Sequence, residues 1–129
     1  MKKLTILSRE KCQVLDITQP VVAGARVAAG LAQLLVTHTT AALTTADLDP
    51  GTDLDLLDAL AAMVPKLKYR HPHDPGHVPD HILSALIGTA LTVPIEAGRL
   101  VLGTWQRIVL VEFDGPRERT VCVTVQANA

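Results

Sequence analysis

Side chains that share faces with a period of two recur in three segments and constrain the fold of this chain more than any other feature. The segments are residues 31–37, 105–113 and 120–125. A period of two is the repeat of a β-strand, in which successive side chains point to opposite faces. Each segment therefore predicts a strand, and a sheet of such strands needs a core to cover its apolar side chains.

The remaining patterns add shorter strands and helices. Residues 4–7 and 12–17 flank a turn-like segment and predict an opening hairpin. Further strands are expected at 41–46, 91–95 and 99–102, and helices at 20–29, at 53–64 and from Pro79 or Asp80 to Ile87. The order of elements does not alternate strand and helix, so it favours an α+β fold with a mostly antiparallel sheet or sandwich and three helices.

The chain is expected to form a single domain spanning residues 1–129. A length of 129 residues is enough to bury a core. Hydrophobic residues make up 48% of the chain but aromatic residues only 2%. The core is therefore expected to consist of Leu, Val, Ala and Ile.

Charge and hydropathy argue against two classes of partner. The net charge is −1, which gives no electrostatic basis for binding nucleic acid. No apolar run approaches the roughly 20 residues of a membrane span. Cys12 and Cys122 fall in predicted strands without a CxxC partner. We interpret them as small buried residues of a reducing compartment and expect a cytoplasmic protein.

The segment 69–81, YRHPHDPGHVPDH, is the strongest candidate for a functional site. It holds four of the five histidines, and the fifth, His38, ends the alternating face of an earlier strand. Imidazole is a common ligand of zinc and the usual proton carrier near pH 7. The alternative is an exposed histidine-rich loop without a specific role. A histidine that ends an apolar row is more often a core residue than a ligand, but the hydroxyls of Thr37, Thr39 and Thr40 make this position more polar than a core needs and favour a site.

His77 and His81 are four residues apart, the spacing of a zinc pair on one helix face. Pro79 argues against that interpretation, because a proline disfavours the helical conformation of the residue before it. We therefore expect the helix to begin at Pro79 or Asp80, with His81 in its first turn. A helix N-terminus is partly positive, so it favours a neutral imidazole and attracts anions.

The chain resembles the YjbQ-like family. The resemblance lies in VTHTTAAL, in the turn ending at Asp49-Pro50, in the histidine segment, and in LIGTALTVPIEAGRLVLGTWQRIVLVEFDGPRERTV. That family is described as secondary thiamine-phosphate synthases that form compact α+β homotrimers with a metal-binding histidine cluster. The resemblance thus implies a homotrimer with its sites at or near subunit boundaries.

The resemblance also implies roles for individual residues. His38, His71 and His81 match the family's metal-binding histidines, with zinc as the expected divalent metal. His73 is the alternative to His71 as the ligand from the loop. Glu112 matches an acidic residue of the family and is expected to line the same cavity as the histidines, and His38, His81 and Glu112 are the expected catalytic residues.

Two functions remain open at this point. One is an enzyme that performs a metal-assisted condensation on a small phosphorylated substrate, as in thiamine phosphate formation. Thr39, Thr40 and either Arg99 or Arg107 would then contact the anionic part of the substrate. The alternative is a homotrimer that binds a metal or small ligand without catalysis. Three imidazoles suit zinc, nickel or copper better than magnesium.

Overall fold

The structure is a computed structural model that describes all residues, Met1–Ala129. It has an α+β fold. The strands are β1 (Lys2–Leu7), β2 (Gln13–Asp16), β3 (Gly30–Val36), β4 (Ala41–Ala46), β5 (Ala90–Glu96), β6 (Arg99–Leu100), β7 (Arg107–Glu112) and β8 (Glu118–Ala127). The helices are α1 (Thr18–Gly24), α2 (Thr52–Met63) and α3 (Val78–Ile87), and a single 3₁₀ turn, Pro75–His77, precedes α3.

The strands form two antiparallel sheets. The larger sheet has the order β1-β8-β3-β5-β6, and the smaller has the order β2-β7-β4. In β3 the side chains of Ala32, Leu34 and Val36 are buried and the intervening ones are exposed, as the alternation predicted. This half-buried pattern is typical of antiparallel sheets.

The core has two layers, separated by the smaller sheet. Ile108 and Leu110 of β7 face the larger sheet, whereas Val109, Val111 and Phe113 face α2 and α3. Because β7 is covered on both faces, all its residues after Arg107 are buried. The molecule is thus a stack of the larger sheet, the smaller sheet and a pair of helices.

The predicted opening hairpin is wrong. Leu7 of β1 pairs with Glu118 in the larger sheet, whereas Gln13 of β2 pairs with Glu112 in the smaller one. The segment between them passes from one sheet to the other. Local alternation identifies both strands but carries no information on their pairing partners, which are distant in sequence.

The first helix is shorter than predicted and ends at Gly24 instead of residue 29. Gly30 does not stop a helix but begins β3. A Cβ atom at Gly30 would lie 2.0 Å from the carbonyl oxygen of Gln126, so only glycine permits this approach to β8.

Helix α3 also begins earlier than predicted. Val78 precedes Pro79 and nevertheless has the helical dihedral angles φ −61° and ψ −39°. The 3₁₀ turn runs directly into the helix, and the carboxylate of Asp74 caps this turn by accepting a hydrogen bond from the Gly76 N–H at 2.9 Å. Capping and packing here outweigh the steric preference of the residue before a proline.

None of the three helices is both long enough and apolar enough to cross a bilayer.

Candidate functional site

His81 lies in the first turn of α3, at the junction between this helix and the smaller sheet. Its Nδ1 is 2.9 Å from the carbonyl oxygen of Thr39, two residues before β4 begins. One turn later, the Ser84 hydroxyl donates a hydrogen bond to the carbonyl oxygen of Ala41 at 2.6 Å. The two bonds fix this face of α3 against the start of β4. Because a carbonyl oxygen only accepts, Nδ1 of His81 carries a proton, and in the neutral ring Nε2 keeps a free lone pair.

His71 stacks on His81. The ring centroids are 5.1 Å apart and the ring planes differ by 8°. Nδ1 of His71 accepts hydrogen bonds from the main-chain N–H groups of His73 and Asp74, at 3.3 and 3.1 Å. In the neutral ring the proton of His71 therefore lies on Nε2.

The structure places His71, not His73, beside His81. The His73 ring is exposed and approaches His71 edge-on, with the centroids 5.9 Å apart. Of the two histidines that the sequence left open as the loop residue of the site, His71 is thus the one in position.

His38 follows β3 and is held by the neighbouring strand β8. Its Nε2 accepts a hydrogen bond from the main-chain N–H of Thr120 at 3.1 Å. Desolvation and then the positive charge of Arg119 hold the pKa of His38 below its usual value. His38 is therefore a neutral imidazole with its proton on Nδ1. The next residue, Thr39, accepts the hydrogen bond from His81 through its carbonyl oxygen.

His77 belongs to a different cluster. Its Nε2 lies 3.3 Å from an oxygen of Asp74 and 3.8 Å from an oxygen of Asp114. Although His77 and His81 lie on one continuous helical segment, their side chains contact different partners. The sequence interpretation that they are not a helical zinc pair agrees with these contacts, but the reason given for it, a break at Pro79, was wrong.

The donor atoms of the three predicted ligands do not fit a three-histidine metal site as they are placed. No group of three or more His, Cys, Asp or Glu side chains is arranged to hold a metal ion. Of the three predicted ligands, only His81 has an imidazole lone pair that is free of a protein hydrogen bond. His38 and His71 would each have to give up a hydrogen bond to a main-chain N–H before they could ligate. The metal site stays a prediction from the sequence.

Glu112 does not line a cavity with the histidines, which corrects the expectation for this residue. It is fully buried between the two sheets and forms an ion pair with Arg119, which is only 2% exposed. Its carboxylate also accepts hydrogen bonds from the Ser8 hydroxyl at 2.7 Å and from the Asp114 N–H at 3.1 Å. With its oxygens occupied in this way, Glu112 has a structural position beneath the site.

Arg119 connects this buried ion pair to the histidine-bearing segment. Its Nη2 donates hydrogen bonds to the hydroxyl of Thr40 at 2.7 Å and to the carbonyl oxygen of the same residue at 3.2 Å. Burial alone would raise the pKa of Glu112, but the hydrogen bonds from Arg119, Ser8 and the Asp114 N–H outweigh it and lower that pKa.

Arg119 and Ser8 were not among the residues that the sequence predicted for the site. A signal for both residues was present. Arg119 lies two residues before Val121 on the apolar face of β8, and Ser8 lies two residues after Ile6. The period of two thus predicts that both side chains point inward.

Gly115 allows the turn after β7 to pack against this network. A Cβ atom there would lie 2.1 Å from the carbonyl oxygen of Glu10 and 2.7 Å from the Ser8 hydroxyl. A larger residue would displace Ser8 from Glu112.

The residues predicted to contact an anion are not gathered at one place. Thr39 offers its carbonyl to His81, and the hydroxyl of Thr40 is engaged by Arg119. Arg99 pairs with Glu96 at the end of the larger sheet where β3 begins, whereas His38 follows the end of β3, roughly 25 Å away at strand spacing. Arg107 pairs with Asp16 at 2.8 Å on the surface. Within one subunit, Arg99 and Arg107 therefore do not join the histidines.

The two cysteines are free. Cys12 is exposed and Cys122 is half-buried, so the expectation that both are small buried residues is wrong. Cys12 lies just outside β2, where the chain crosses between the sheets, and its thiol contacts the carbonyl oxygen of Phe113 at 3.7 Å.

Comparisons with known proteins agree with the sequence resemblance. Residues 2–128 match the family described as UPF0047 protein YjbQ-like. A UPF0047 protein of Archaeoglobus fulgidus is 37% identical over 122 residues, which cover 94% of this chain and 97% of that protein. Protein YugU of Bacillus subtilis, also a UPF0047 protein, is 36% identical over 124 residues, which cover 93% of this chain and 94% of YugU.

A solved structure supports the same assignment. The crystal structure of an uncharacterized conserved protein of the YjbQ/UPF0047 family from Clostridium acetobutylicum superposes with a TM-score of 0.86. Its sequence identity is 35%, and the match covers 98% of this chain and all of that chain. The chain belongs to the YjbQ-like family of UPF0047 proteins.

Proposed function

We propose that the protein is an enzyme of the secondary thiamine-phosphate synthase type, which joins a pyrimidine diphosphate to a thiazole phosphate at the His71–His81 pair. The observation that carries the proposal is the state of these two rings. His81 offers a free Nε2 lone pair, because its Nδ1–H is held by Thr39, and His71 offers an Nε2–H. The pair thus combines a free imidazole lone pair, which suits a metal ion, and an N–H donor, which suits an anion, in stacked rings.

In this condensation the thiazole nitrogen attacks the methylene carbon of the pyrimidine. A C–N bond forms, the C–O bond to the diphosphate breaks, and pyrophosphate leaves with the electron pair. The chemistry therefore depends on neutralising the charge of the leaving pyrophosphate. The Nε2–H of His71 is a donor suited to an anion, and the main-chain N–H groups in the first turn of α3 lie on the same element as His81.

A divalent transition metal, zinc above all, is part of the proposal. Its chemistry would be the polarisation of phosphate oxygens. His81 Nε2 is the donor atom that fits such an ion, and His38 and His71 would join it only after exchanging their present hydrogen bonds. The property that tests this part of the proposal is the dependence of turnover on the metal.

The test is direct. The protein, purified without an affinity tag, is analysed for bound metal and then assayed for thiamine phosphate formation before and after chelation. His81→Ala should abolish turnover, whereas His77→Ala should retain it, because His77 contacts Asp74 and Asp114 instead. Equal turnover in the two variants would refute the assignment of His81.

The alternative is a homotrimer that binds a metal or a small phosphorylated ligand without catalysis. The position of the arginines favours it, since Arg119 is sealed in the core and Arg99 lies at the other end of the larger sheet. A site that releases pyrophosphate would gain from an arginine, and neither is in reach within one subunit. Stoichiometric phosphate-ester binding without turnover, in the presence of the metal, would favour this function.

We further propose that subunits associate through the outer face of the larger sheet and that the protein works in the cytoplasm. Leu31 and Leu35 of the central strand β3 are 37% and 45% exposed, and no helix covers them. Exposed leucines on a central strand are typical of an interaction surface. The two free cysteines are in keeping with a reducing compartment.

A further inference from the structure

A cavity of about 620 Å³ lies between α2, α3 and the segment that joins them. It occupies the face of α3 that carries Asp80 and Leu83, whereas His81 and Ser84 occupy the neighbouring face and bind the start of β4. The cavity is therefore separate from the His71–His81 pair. Its volume falls within the roughly 300–1,000 Å³ usual for small-molecule sites.

The inner surface of the cavity is apolar. Leu57, Leu60 and Val64 come from α2 and its end, and Leu83 and Phe113 come from α3 and the smaller sheet. Leu60, Leu83 and Phe113 also belong to the second layer of the core. Core residues therefore form part of the cavity wall, and an apolar group bound there would pack against them.

The charges around the cavity are biased towards positive. Lys66 and Lys68 line it, are exposed, and form no ion pair with a carboxylate. The one carboxylate in the lining, Asp80, is already paired with Lys11 at 3.4 Å. A cationic ligand would have to compete with Lys11 for Asp80, whereas an anionic ligand meets two unpaired ammonium groups.

We propose that this cavity binds a small organic anion, with its apolar body against Leu60, Leu83 and Phe113 and its acidic group at Lys66 and Lys68. The anion is a carboxylate, sulfonate or phosphate ester with an aromatic or branched aliphatic body. This proposal does not depend on the function of the histidines, since none of them lines the cavity.

The test uses two fluorescent probes of similar apolar body. Anilinonaphthalenesulfonate is an anion and phenylnaphthylamine is neutral, and both brighten in an apolar site. The protein should bind the anion at one site per chain and at least tenfold more tightly than the neutral probe. Lys66→Glu with Lys68→Glu should remove that difference, whereas Lys2→Glu with Lys3→Glu, the same charge change on β1, should keep it.

The cavity itself is tested by filling it. Ala61 lines the cavity and Ala62, the next residue of α2, does not, although both are exposed. Ala61→Phe should therefore weaken binding of the anion at least tenfold, and Ala62→Phe should leave it unchanged. Equal binding by these two variants, or equal affinity of the wild-type protein for the two probes, would overturn the proposal.

A chemical reporter gives an independent measure. Cys12 lines the cavity and Cys122 lies in β8, so the variant Cys122→Ser leaves Cys12 as the single thiol. The bound anion should slow alkylation of Cys12 severalfold in this variant and should not do so after Ala61→Phe. Alkylation that is unaffected by a saturating concentration of the anion would place the probe elsewhere and contradict the assignment.

Discussion

The main-chain N–H of Thr120 donates a hydrogen bond to Nε2 of His38 at 3.1 Å. The preceding residue, Arg119, binds the hydroxyl of Thr40 at 2.7 Å. Two successive residues of β8 thus hold both ends of the segment 38–40, and the carbonyl of Thr39 in its middle holds His81. Because Arg119 is itself held by the buried ion pair with Glu112, this ion pair helps to position the candidate site.

This arrangement makes His38 resistant to protonation. Its pKa is depressed by desolvation first and by the charge of Arg119 second, so its NMR titration midpoint should lie below the usual value of 6.5. Because the folded-state pKa is the lower one, the associated stability is present above pH 6.5 and is lost as the pH falls. His38→Gln should remove this part of the pH dependence. A midpoint at or above 6.5 would contradict the desolvation of this ring and the influence of Arg119 on it.

Breaking the buried ion pair should destabilise the fold strongly. Arg119→Met leaves the Glu112 carboxylate buried without its charged partner, for which the expected loss is about 3–5 kcal/mol of unfolding free energy. Arg107→Ala removes the surface pair with Asp16 and serves as the control, with an expected loss of about 0–1 kcal/mol. Both are measured by urea denaturation. Similar losses in the two variants would show that Arg119 is not sealed in the core.

Glu112 should contribute to the acid sensitivity of the fold. Its folded-state pKa is lowered, so the stability that it provides is present above its usual pKa of 4.5 and is lost as the pH falls through the folded-state value. The difference in unfolding free energy between wild type and Glu112→Gln should therefore shrink as the pH falls below 4.5 and on through the lower folded-state pKa. A difference that stays constant over this range would mean that the carboxylate titrates identically in the folded and unfolded states.

Metal binding separates the histidines into two groups. If the proposed metal site forms, His38→Ala, His71→Ala and His81→Ala should each lower the bound metal to well under half of the wild-type content, because a site of three ligands fails without one of them. His77→Ala should keep the metal, since its ring contacts Asp74 and Asp114. Metal content is measured on folded protein, verified by circular dichroism. Full retention of metal in His71→Ala would direct attention to His73.

The outer face of the larger sheet should control assembly. Leu35→Glu places a charge on the exposed face of the central strand and should convert a trimer into monomers, as measured by light scattering. Leu54→Glu on α2 is the matched control, because Leu54 is also exposed but lies on a different surface. A monomeric wild-type protein at micromolar concentration would remove the trimer proposal.

The sequence by itself determined the elements and their faces. Alternation in β3 and β8 identified which side chains point inward, and the order of elements indicated the α+β fold. These features are local, because the period of a strand or helix depends on a few neighbouring residues. The period of two also applies to Arg119 and Ser8, which lie two residues from the buried Val121 and Ile6 and therefore point inward.

Only the tertiary structure decided the partners. It assigned β1 and β2 to different sheets, buried Glu112 instead of opening it to a cavity, and placed His71 beside His81. It also fixed the proton of each ring, through the Thr39 carbonyl for His81 and the Thr120 N–H for His38. These contacts join residues 42 and 82 positions apart. A periodic pattern cannot specify such pairs, because the hydrogen-bond role of an imidazole depends on the group that folding brings to it.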